Sequence, residues 1–337
     1  MNQPAAPIVS LRAISKRFVK TLDLAARIAR RLGANVREEV VQAVDGFTLD
    51  IQEGEVVGLV GESGCGKSTL GRIVAGIYPP TSGEVYYRGE PLTGMDRQTS
   101  RQTSLNCQMI FQDPYASLNP RMRVRDIIGE APQVHGLVKG SELDDYVGSL
   151  LLRVGLDPSF MRRYPHQFSG GQRQRIGVAR ALAVNPDFLI CDEAVSALDV
   201  SIQAQVLNLF MDLRKDLNLT YLFISHDLGV VEHLSDRVVI MYLGRIVEIA
   251  PTDDLFDSPN HPYTIALLNE VPKIESRHQV YTPIEGEIPS PIDPPPGCHF
   301  NPRCPQASAR CSAEVPALRE IAPGRFSACH LNDAAAL

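Results

Sequence analysis

Nine residues near the start of the chain have the types and spacing needed to hold a phosphate. They fit the pattern G-x-x-x-x-G-K-S/T and are Gly61, Glu62, Ser63, Gly64, Cys65, Gly66, Lys67, Ser68 and Thr69. Glycines let successive backbone N–H groups turn inward around an anion, with the positive end of a helix behind them. Lys67 could then reach the outer phosphates, and the Ser68 hydroxyl could ligate Mg²⁺. A plain glycine turn is the alternative, but the complete pattern favours a nucleoside triphosphate site.

The flanking residues predict the strand, loop and helix that this motif requires. Val56–Val60 is a run of β-forming residues, and residues 70–76 have the pattern of the first turns of a helix. Strand and helix patterns alternate again from residue 188 to 241, which is typical of a parallel sheet wrapped by helices. The expected strands are 188–191, 220–224 and 237–241, and the expected helices are 204–217 and 228–234.

Other stretches indicate how the rest of the chain is arranged. Residues 8–18 and 43–51 predict strands, the first of them at a sheet edge. The pattern from 127 to 184 is mostly helical, which indicates an inserted helical subdomain. Residues 21–33 have apolar positions at helical spacing with three arginines among them. Such a helix could touch a membrane surface or a partner, although an ordinary surface helix gives the same pattern.

Length and charge exclude some classes of protein. A chain of 337 residues suggests one large domain with an appendage. A net charge of -6 argues against nucleic acid as the main partner, because binding phosphates needs a basic surface. No apolar run approaches the roughly 18 residues needed to span a bilayer. We therefore expect a cytosolic protein, or one that other subunits hold at a membrane.

Two acidic residues follow the predicted strand at 188–191. Beside the phosphate loop (residues 61–69), such a strand could aim Asp192 at Mg²⁺, and Glu193 could polarise the water that attacks the terminal phosphate. A strand that simply ends in a polar turn would give the same two letters. Their combination with the phosphate loop favours the catalytic interpretation.

A second potential anion site lies at residues 169–172, which we call the signature segment. Its residues are Ser169, Gly170, Gly171 and Gln172. They precede a helical stretch, so they would form a helix N-terminus with exposed N–H groups. An ordinary capped helix is the alternative. Because one nucleotide rarely needs two such sites, we expect this one to serve a nucleotide held by a partner chain.

The three motifs together resemble the ATP-binding subunits of ABC transporters, over residues 8–250. The resemblance implies an α/β P-loop NTPase cassette. Its parts would be a RecA-like parallel-sheet core, an antiparallel β subdomain and a helical subdomain at about 115–184. It also implies ATP and Mg²⁺ as ligands, with Lys67 and Mg²⁺ stabilising charge while Glu193 orients water. The activity would be ATP hydrolysis coupled to transport.

The resemblance extends to residues that would otherwise pass as surface or core. Gln112 matches the loop residue that contacts Mg²⁺ and relays to the membrane subunits. Asp199 ends a segment that crosses the dimer interface, and His226 matches the switch histidine at the terminal phosphate. Phe18 lies where the family has an aromatic residue on adenine. Two departures are Ala194, where many relatives have proline, and an apparent insertion at 19–41, directly after Phe18.

The C-terminal extension (residues 251–337) is proline-rich and is expected to be irregular. His261-Pro262-Tyr263-Thr264, the prolines at 289 and 291 and a run of cysteines resemble the dipeptide and oligopeptide importer branch. Relatives in that branch also import nickel, glutathione, opines and peptide antibiotics. The resemblance therefore identifies a branch and leaves the solute open.

Four cysteines lie in the extension: Cys298, Cys304, Cys311 and Cys329. Zinc sites usually have a tight pair of ligands about 2–4 residues apart, which these lack. Thiolates at loose spacing could hold an iron–sulfur cluster of the 4Fe–4S type, as some relatives in the branch do. His299 and His330 adjoin cysteines and could substitute. Unligated cysteines, zinc or a redox disulfide are the alternatives.

The resemblance also implies an assembly. Two such chains, identical or paralogous, would close head to tail on ATP and reopen on hydrolysis, attached to two transmembrane permease subunits. An extracytoplasmic solute-binding protein would act indirectly, and the chain would lie peripherally on the cytoplasmic face of the inner membrane. The rival is a soluble ABC-type ATPase acting on ribosomes or DNA. Those usually carry tandem cassettes or a long coiled-coil insertion, and neither pattern occurs here.

Overall fold

The computed structural model describes residues 6–20, 39–270, 284 and 286–336. The strands are β1 Val9–Lys20, β2 Glu39–Ile51, β3 Val56–Val60, β4 Ser82–Tyr87, β5 Glu90–Pro91, β6 Cys107–Ile110, β7 Phe188–Asp192, β8 Thr220–Ser225, β9 Arg237–Tyr242, β10 Arg245–Pro251, β11 Arg319–Ala322 and β12 Arg325–Ser327. The α-helices are α1 Lys67–Val74, α2 Arg97–Asn106, α3 Val124–Val134, α4 Leu143–Arg153, α5 Gly170–Leu182, α6 Val200–Leu217, α7 Leu228–Leu234, α8 Thr252–Asp257, α9 Pro262–Asn269 and α10 Ala309–Ala313. Short 3₁₀ segments are Gly140–Glu142, Pro158–Arg162, Pro165–Gln167, Asn301–Arg303 and His330–Ala336.

The central sheet has the strand order β11-β12-β10-β9-β3-β8-β7-β6. Adjacent strands in the stretch β9-β3-β8-β7-β6 pair in parallel. Strand β10 pairs antiparallel with both β9 and β12. Every residue of β3, β7 and β8 is buried, as expected for strands covered by helices on both faces. The predicted α/β fold with a parallel-sheet core is therefore confirmed.

The helix expected at 70–76 is α1, which begins earlier, at Lys67, and ends at Val74. Of the two helices expected between 188 and 241, one agrees at both ends. Helix α7 begins and ends where expected, whereas α6 begins at Val200 and not at 204. The Val200 side chain in the first turn of α6 is 84% exposed, and Ile202 is partly buried against the core. Because a single apolar side chain of this turn packs inward, the repeated apolar positions that mark a helix are missing there.

A second, antiparallel sheet has the order β2-β1-β4-β5. Strand β1 pairs with both β2 and β4, so its predicted place at a sheet edge is wrong. Alternation reports which face of a strand is buried and carries no information on its neighbours. The β1–β2 hairpin extends to the pair Lys20 and Glu39, so both ends of the segment assigned to an insertion are strand. The helix predicted at 21–33 lies outside the described residues.

Helices α3, α4 and α5 pack against one another beside the central sheet. Their shared core contains fully buried Ile128, Leu151 and Ile176. Among the helices in the described ranges, none is long and apolar enough to cross a membrane.

The C-terminal extension is built onto the cassette and is only partly irregular. Strands β11 and β12 continue the central sheet through β10. Tyr242 of β9, Tyr263 of α9 and Phe300 are buried together, with ring centroids 4.6 to 5.4 Å apart. Aromatic packing of this kind fixes the extension against the end of β9.

Candidate nucleotide-binding site

The phosphate loop joins β3 to α1 and adopts a shape that requires glycine. Gly64 and Gly66 have φ of 82° and 110°, in the left-handed region. A Cβ on Gly66 would lie 2.0 Å from the Ala43 carbonyl oxygen, and one on Gly61 would lie 2.1 Å from the Met241 carbonyl oxygen. The glycines therefore let the loop lie directly against β2 and β9.

Two polar side chains at the start of α1 face the adjoining strand. The Lys67 Nζ donates to the carbonyls of Gly61 and Glu62, at 2.6 and 3.1 Å. The Ser68 hydroxyl donates to Asp192 Oδ1 at 2.8 Å. Burial raises the pKa of Asp192 above its ordinary value, and the hydrogen bond from Ser68 partly opposes that shift. A hydroxyl and a buried carboxylate in contact are suitable oxygen ligands for Mg²⁺.

Two residues that follow separate strands, Gln112 after β6 and His226 after β8, converge on Glu193, which follows β7. Gln112 Nε2 donates to Glu193 Oε2 at 2.7 Å, and His226 Nδ1 lies 3.4 Å from Oε1. Glu193 itself has φ of 48°, and its N–H donates to the Ile224 carbonyl at 2.9 Å. A non-glycine residue in this conformation is strained, and such strain is concentrated at functional sites. The contacts to Gln112 and Ile224 hold Glu193 at the C-terminal ends of the parallel strands.

A cleft of about 430 Å³ opens above the phosphate loop. It is lined by Phe18, Val41, Ala43, Ser63, Gly64, Gly66, Lys67, Ser68, Thr69, Gln112, Glu193 and Pro291. Gly61, Cys65, Asp192 and His226 lie behind or beside this lining. A larger cleft of about 700 Å³, between the β subdomain and the extension, contains none of the predicted site residues.

The rim of the cleft includes one predicted and one unexpected residue. Phe18 is 39% exposed and packs edge-on against Tyr78, with ring centroids 5.9 Å apart. Pro291, from the proline-rich part of the extension, lies opposite and accepts a hydrogen bond from the Gln42 N–H at 3.1 Å. Sequence reasoning missed Pro291, because no local pattern links a linker proline to a strand about 250 residues earlier.

The signature segment forms the N-terminus of α5 and does not line this cleft. Ser169 caps the helix reciprocally with Gln172, through N–H to oxygen distances of 3.1 and 3.4 Å. A Cβ on Gly171 would lie 2.3 Å from Ile202 Cγ2, so glycine is required for contact with α6. Ser169 and Asp199 are exposed. The start of α5 therefore lies outside the lining of the chain's own cleft.

The four extension cysteines lie around one small cavity of about 20 Å³, which His261 and His330 also line. His299 points elsewhere, with Nδ1 3.1 Å from the Leu243 carbonyl, so it lies outside this group. Burial, with smaller contributions from the neighbouring thiols, raises the pKa of Cys329 to about 11. In the described ranges, no three His, Cys, Asp or Glu side chains meet where one metal ion could bind.

The fold and the site define a P-loop ATPase cassette. Residues 44–196 match the family described as ABC transporter, and residues 247–311 match the family described as oligopeptide/dipeptide transporter, C-terminal region. The oligopeptide transport ATP-binding protein AppF of Bacillus subtilis is 52% identical over 86% of this chain and 90% of its own. The probable peptide ABC transporter ATP-binding protein y4tS of Sinorhizobium fredii is 50% identical over 88% and 84% of the two chains.

Solved structures agree with this grouping. The dimeric post-hydrolysis state of the ATP-binding cassette MJ0796 bound to ADP and Pi has a TM-score of 0.61 and is 26% identical. It covers 72% of this chain and 98% of its own. The chain belongs to the ATP-binding subunits of ABC transporters, in the branch that carries the oligopeptide/dipeptide C-terminal region. It is therefore an ATPase that binds ATP with Mg²⁺ and works with permease subunits.

Proposed function

We propose that the chain powers import of di- or oligopeptides. The observation that carries this proposal is the convergence of Lys67, Ser68 and Glu193 at one cleft, in a chain with two relatives of 50% identity or more that are named for peptide transport. Residues 1–250 form the ATPase cassette, with a helical subdomain at about 115–184. Residues 251–337 form the importer-type extension. The chain acts from the cytoplasmic face of the inner membrane, on two permease subunits and indirectly with a solute-binding protein.

Each polar group at the cleft has a chemical role in this proposal. Residues 61–69 hold the phosphates, with Lys67 on the outer ones and Phe18 against adenine. Ser68, Asp192 and Gln112 hold Mg²⁺, directly or through water. Glu193 polarises the attacking water, and His226 contacts the terminal phosphate. The protein's contribution is mainly positioning and charge stabilisation, as phosphoryl transfer requires.

Uptake in a strain that lacks this gene tests the transport role. We expect the wild-type chain to restore growth on peptides as the sole source of a required amino acid, and Lys67→Ala to fail. The complex should co-purify with membrane permeases. Full restoration by Lys67→Ala, or co-purification with ribosomes or DNA in place of permeases, would contradict the proposal.

We further propose that the signature segment binds the nucleotide of a second copy or of a paralogue. Its position at the start of α5 supports this role, since the positive end of a helix dipole favours an anion. Asp199 would lie at the same interface. In a Glu193→Gln background, Ser169→Arg should abolish ATP-dependent dimerisation measured by light scattering. Ser149→Arg, on the exposed side of α4, is the matched control and should dimerise normally.

Finally, we propose that the four extension cysteines hold an iron–sulfur cluster. The donor set fits, because four thiols line one cavity. Burial, and to a smaller extent the neighbouring thiols, raises the pKa of Cys298, Cys304 and Cys329, and the positive charge of bound iron would favour their thiolate forms. A cluster binds one thiolate per iron, so its ligands need not meet at one point. When bound, it would supply a redox-active or structural centre.

Analysis of anaerobically purified protein tests the cluster. Iron and acid-labile sulfide should be present in the wild-type chain and should fall in Cys311→Ser, while Ser312→Ala retains them. Their absence from the wild-type protein would overturn the cluster. Zinc in their place would identify a different metal.

A further inference from the structure

The C-terminal extension reaches into the phosphate loop through one arginine. Arg303 donates from both terminal nitrogens to the Glu62 carboxylate, at 2.8 and 3.0 Å. This is the bidentate geometry that makes arginine–carboxylate pairs strong and specific. Glu62 is the second residue of the phosphate loop, and Arg303 lies 241 positions later. The pair therefore joins the extension directly to the nucleotide site.

Burial separates this pair from ordinary surface ion pairs. The Arg303 side chain is 5% exposed and that of Glu62 is 18% exposed. Arg303 also donates to the Tyr242 hydroxyl at 3.3 Å, and the Glu62 N–H donates to the Tyr263 hydroxyl at 3.0 Å. Both the backbone and the carboxylate of Glu62 are thus held from outside the loop. Tyr263 belongs to the packed aromatic cluster of Tyr242, Tyr263 and Phe300, and Arg303 is hydrogen-bonded to that cluster through Tyr242.

The charge of Glu62 is unfavourable for a loop that must hold a polyanion. Its carbonyl oxygen already accepts from Lys67 Nζ, so its backbone is part of the phosphate-binding surface. An unpaired carboxylate on the same residue would repel the phosphates and would compete for Lys67. Arg303 supplies the compensating positive charge. Removing one partner of such a buried pair leaves the other charged and unpaired, which is the costly case.

We propose that Arg303 is a positioning residue of the nucleotide site, which neutralises Glu62 and holds the phosphate loop in its anion-binding shape. The C-terminal extension thereby sets the affinity for ATP. This inference rests on the proposed binding of nucleotide at residues 61–69. Arg303 also precedes Cys304, so the cysteine cavity and the phosphate loop are joined through adjacent residues.

Equilibrium binding of Mg–ATP to the full chain, with ATP turnover, tests the inference. Arg303→Met should raise Kd and KM by about tenfold or more, with a smaller change in kcat, because it leaves a like charge beside the phosphates. Arg303→Lys should recover only part of the affinity, since an ammonium keeps the charge and loses the fork. The double variant Arg303→Met with Glu62→Gln removes both charges and should recover most of the affinity.

Arg319→Met is the matched control, because Arg319 pairs with Asp333 in the extension and does not touch the loop. It should bind ATP as the wild type does. Lys67→Ala tests the nucleotide site itself. Unchanged ATP affinity in this variant would count against the site and not specifically against Arg303. Unchanged binding by Arg303→Met would overturn the inference. A double variant that binds ATP as weakly as Arg303→Met would also overturn the inference. Thermal unfolding of each variant is measured alongside, so that poor folding of the single variant is distinguished from a loss of ATP affinity.

Discussion

Replacing Glu193 by glutamine removes a base while preserving shape, which isolates the chemical step. Gln112 donates to Glu193 at 2.7 Å, and a glutamine oxygen can accept the same hydrogen bond. The strained backbone at φ of 48° is set by neighbouring strands, so the substitution leaves it in place. What is lost is the carboxylate that polarises water. A positioned general base contributes about 10²–10⁴-fold, and we expect kcat to fall within that range.

The assay follows phosphate release and nucleotide binding in the same preparation. ATP affinity should stay within about threefold of the wild type, because the loss concerns the transition state and not ground-state binding. The blocked chain should accumulate as an ATP-bound dimer in light scattering. Glu232→Gln, on the exposed face of α7, is the matched control and should turn over normally. Normal turnover by Glu193→Gln would remove Glu193 from its role.

Three other substitutions test the packing and electrostatics of the chain. Gly171→Ala should lower the free energy of unfolding in urea by about 1–3 kcal/mol, because its Cβ would lie 2.3 Å from Ile202. Adding Ile202→Ala should restore part of that loss, and an unchanged unfolding midpoint in Gly171→Ala would contradict the contact. Asp192→Asn should raise Tm at pH 7 without nucleotide, because burial makes the ionised carboxylate unfavourable. The same variant should abolish Mg²⁺-dependent turnover, and a lower Tm would refute the reasoning on burial. Burial lowers the pKa of His261 to about 4, so this imidazole binds a proton more readily in the unfolded chain than in the folded one. The free energy of unfolding should therefore fall as the pH drops from about 6.5 to 4. His261→Asn should flatten that dependence, and an equally steep curve would show that another group is responsible.

The elements that position the catalytic groups could be predicted because each has a local signal. Strands β3, β7 and β8 are apolar through most of their length, since a strand covered on both faces has no polar side. The phosphate loop carries its glycines at positions where the backbone needs a left-handed conformation or a close approach. Local chemistry of this kind can be recognised without knowing what lies next to it.

Neighbour relations could not be predicted in the same way. The central position of β1 between β2 and β4 depends on pairing, which alternation does not encode. The start of α6 was missed because its first turn is exposed. His299 was considered beside the cysteines because it adjoins Cys298, yet its ring turns toward Leu243.

The sequence by itself predicts the class of site: a phosphate loop, an acid placed for a metal, a candidate base and a second helix terminus proposed for an anion. Those depend on residue types at short spacing, where covalent geometry limits the outcomes. Only the tertiary structure decided that Gln112 and His226 meet at Glu193, and that the extension contributes Pro291 and Arg303 to the nucleotide site. Contacts between residues about 240 positions apart arise from sheet order and core packing, and no local pattern records them.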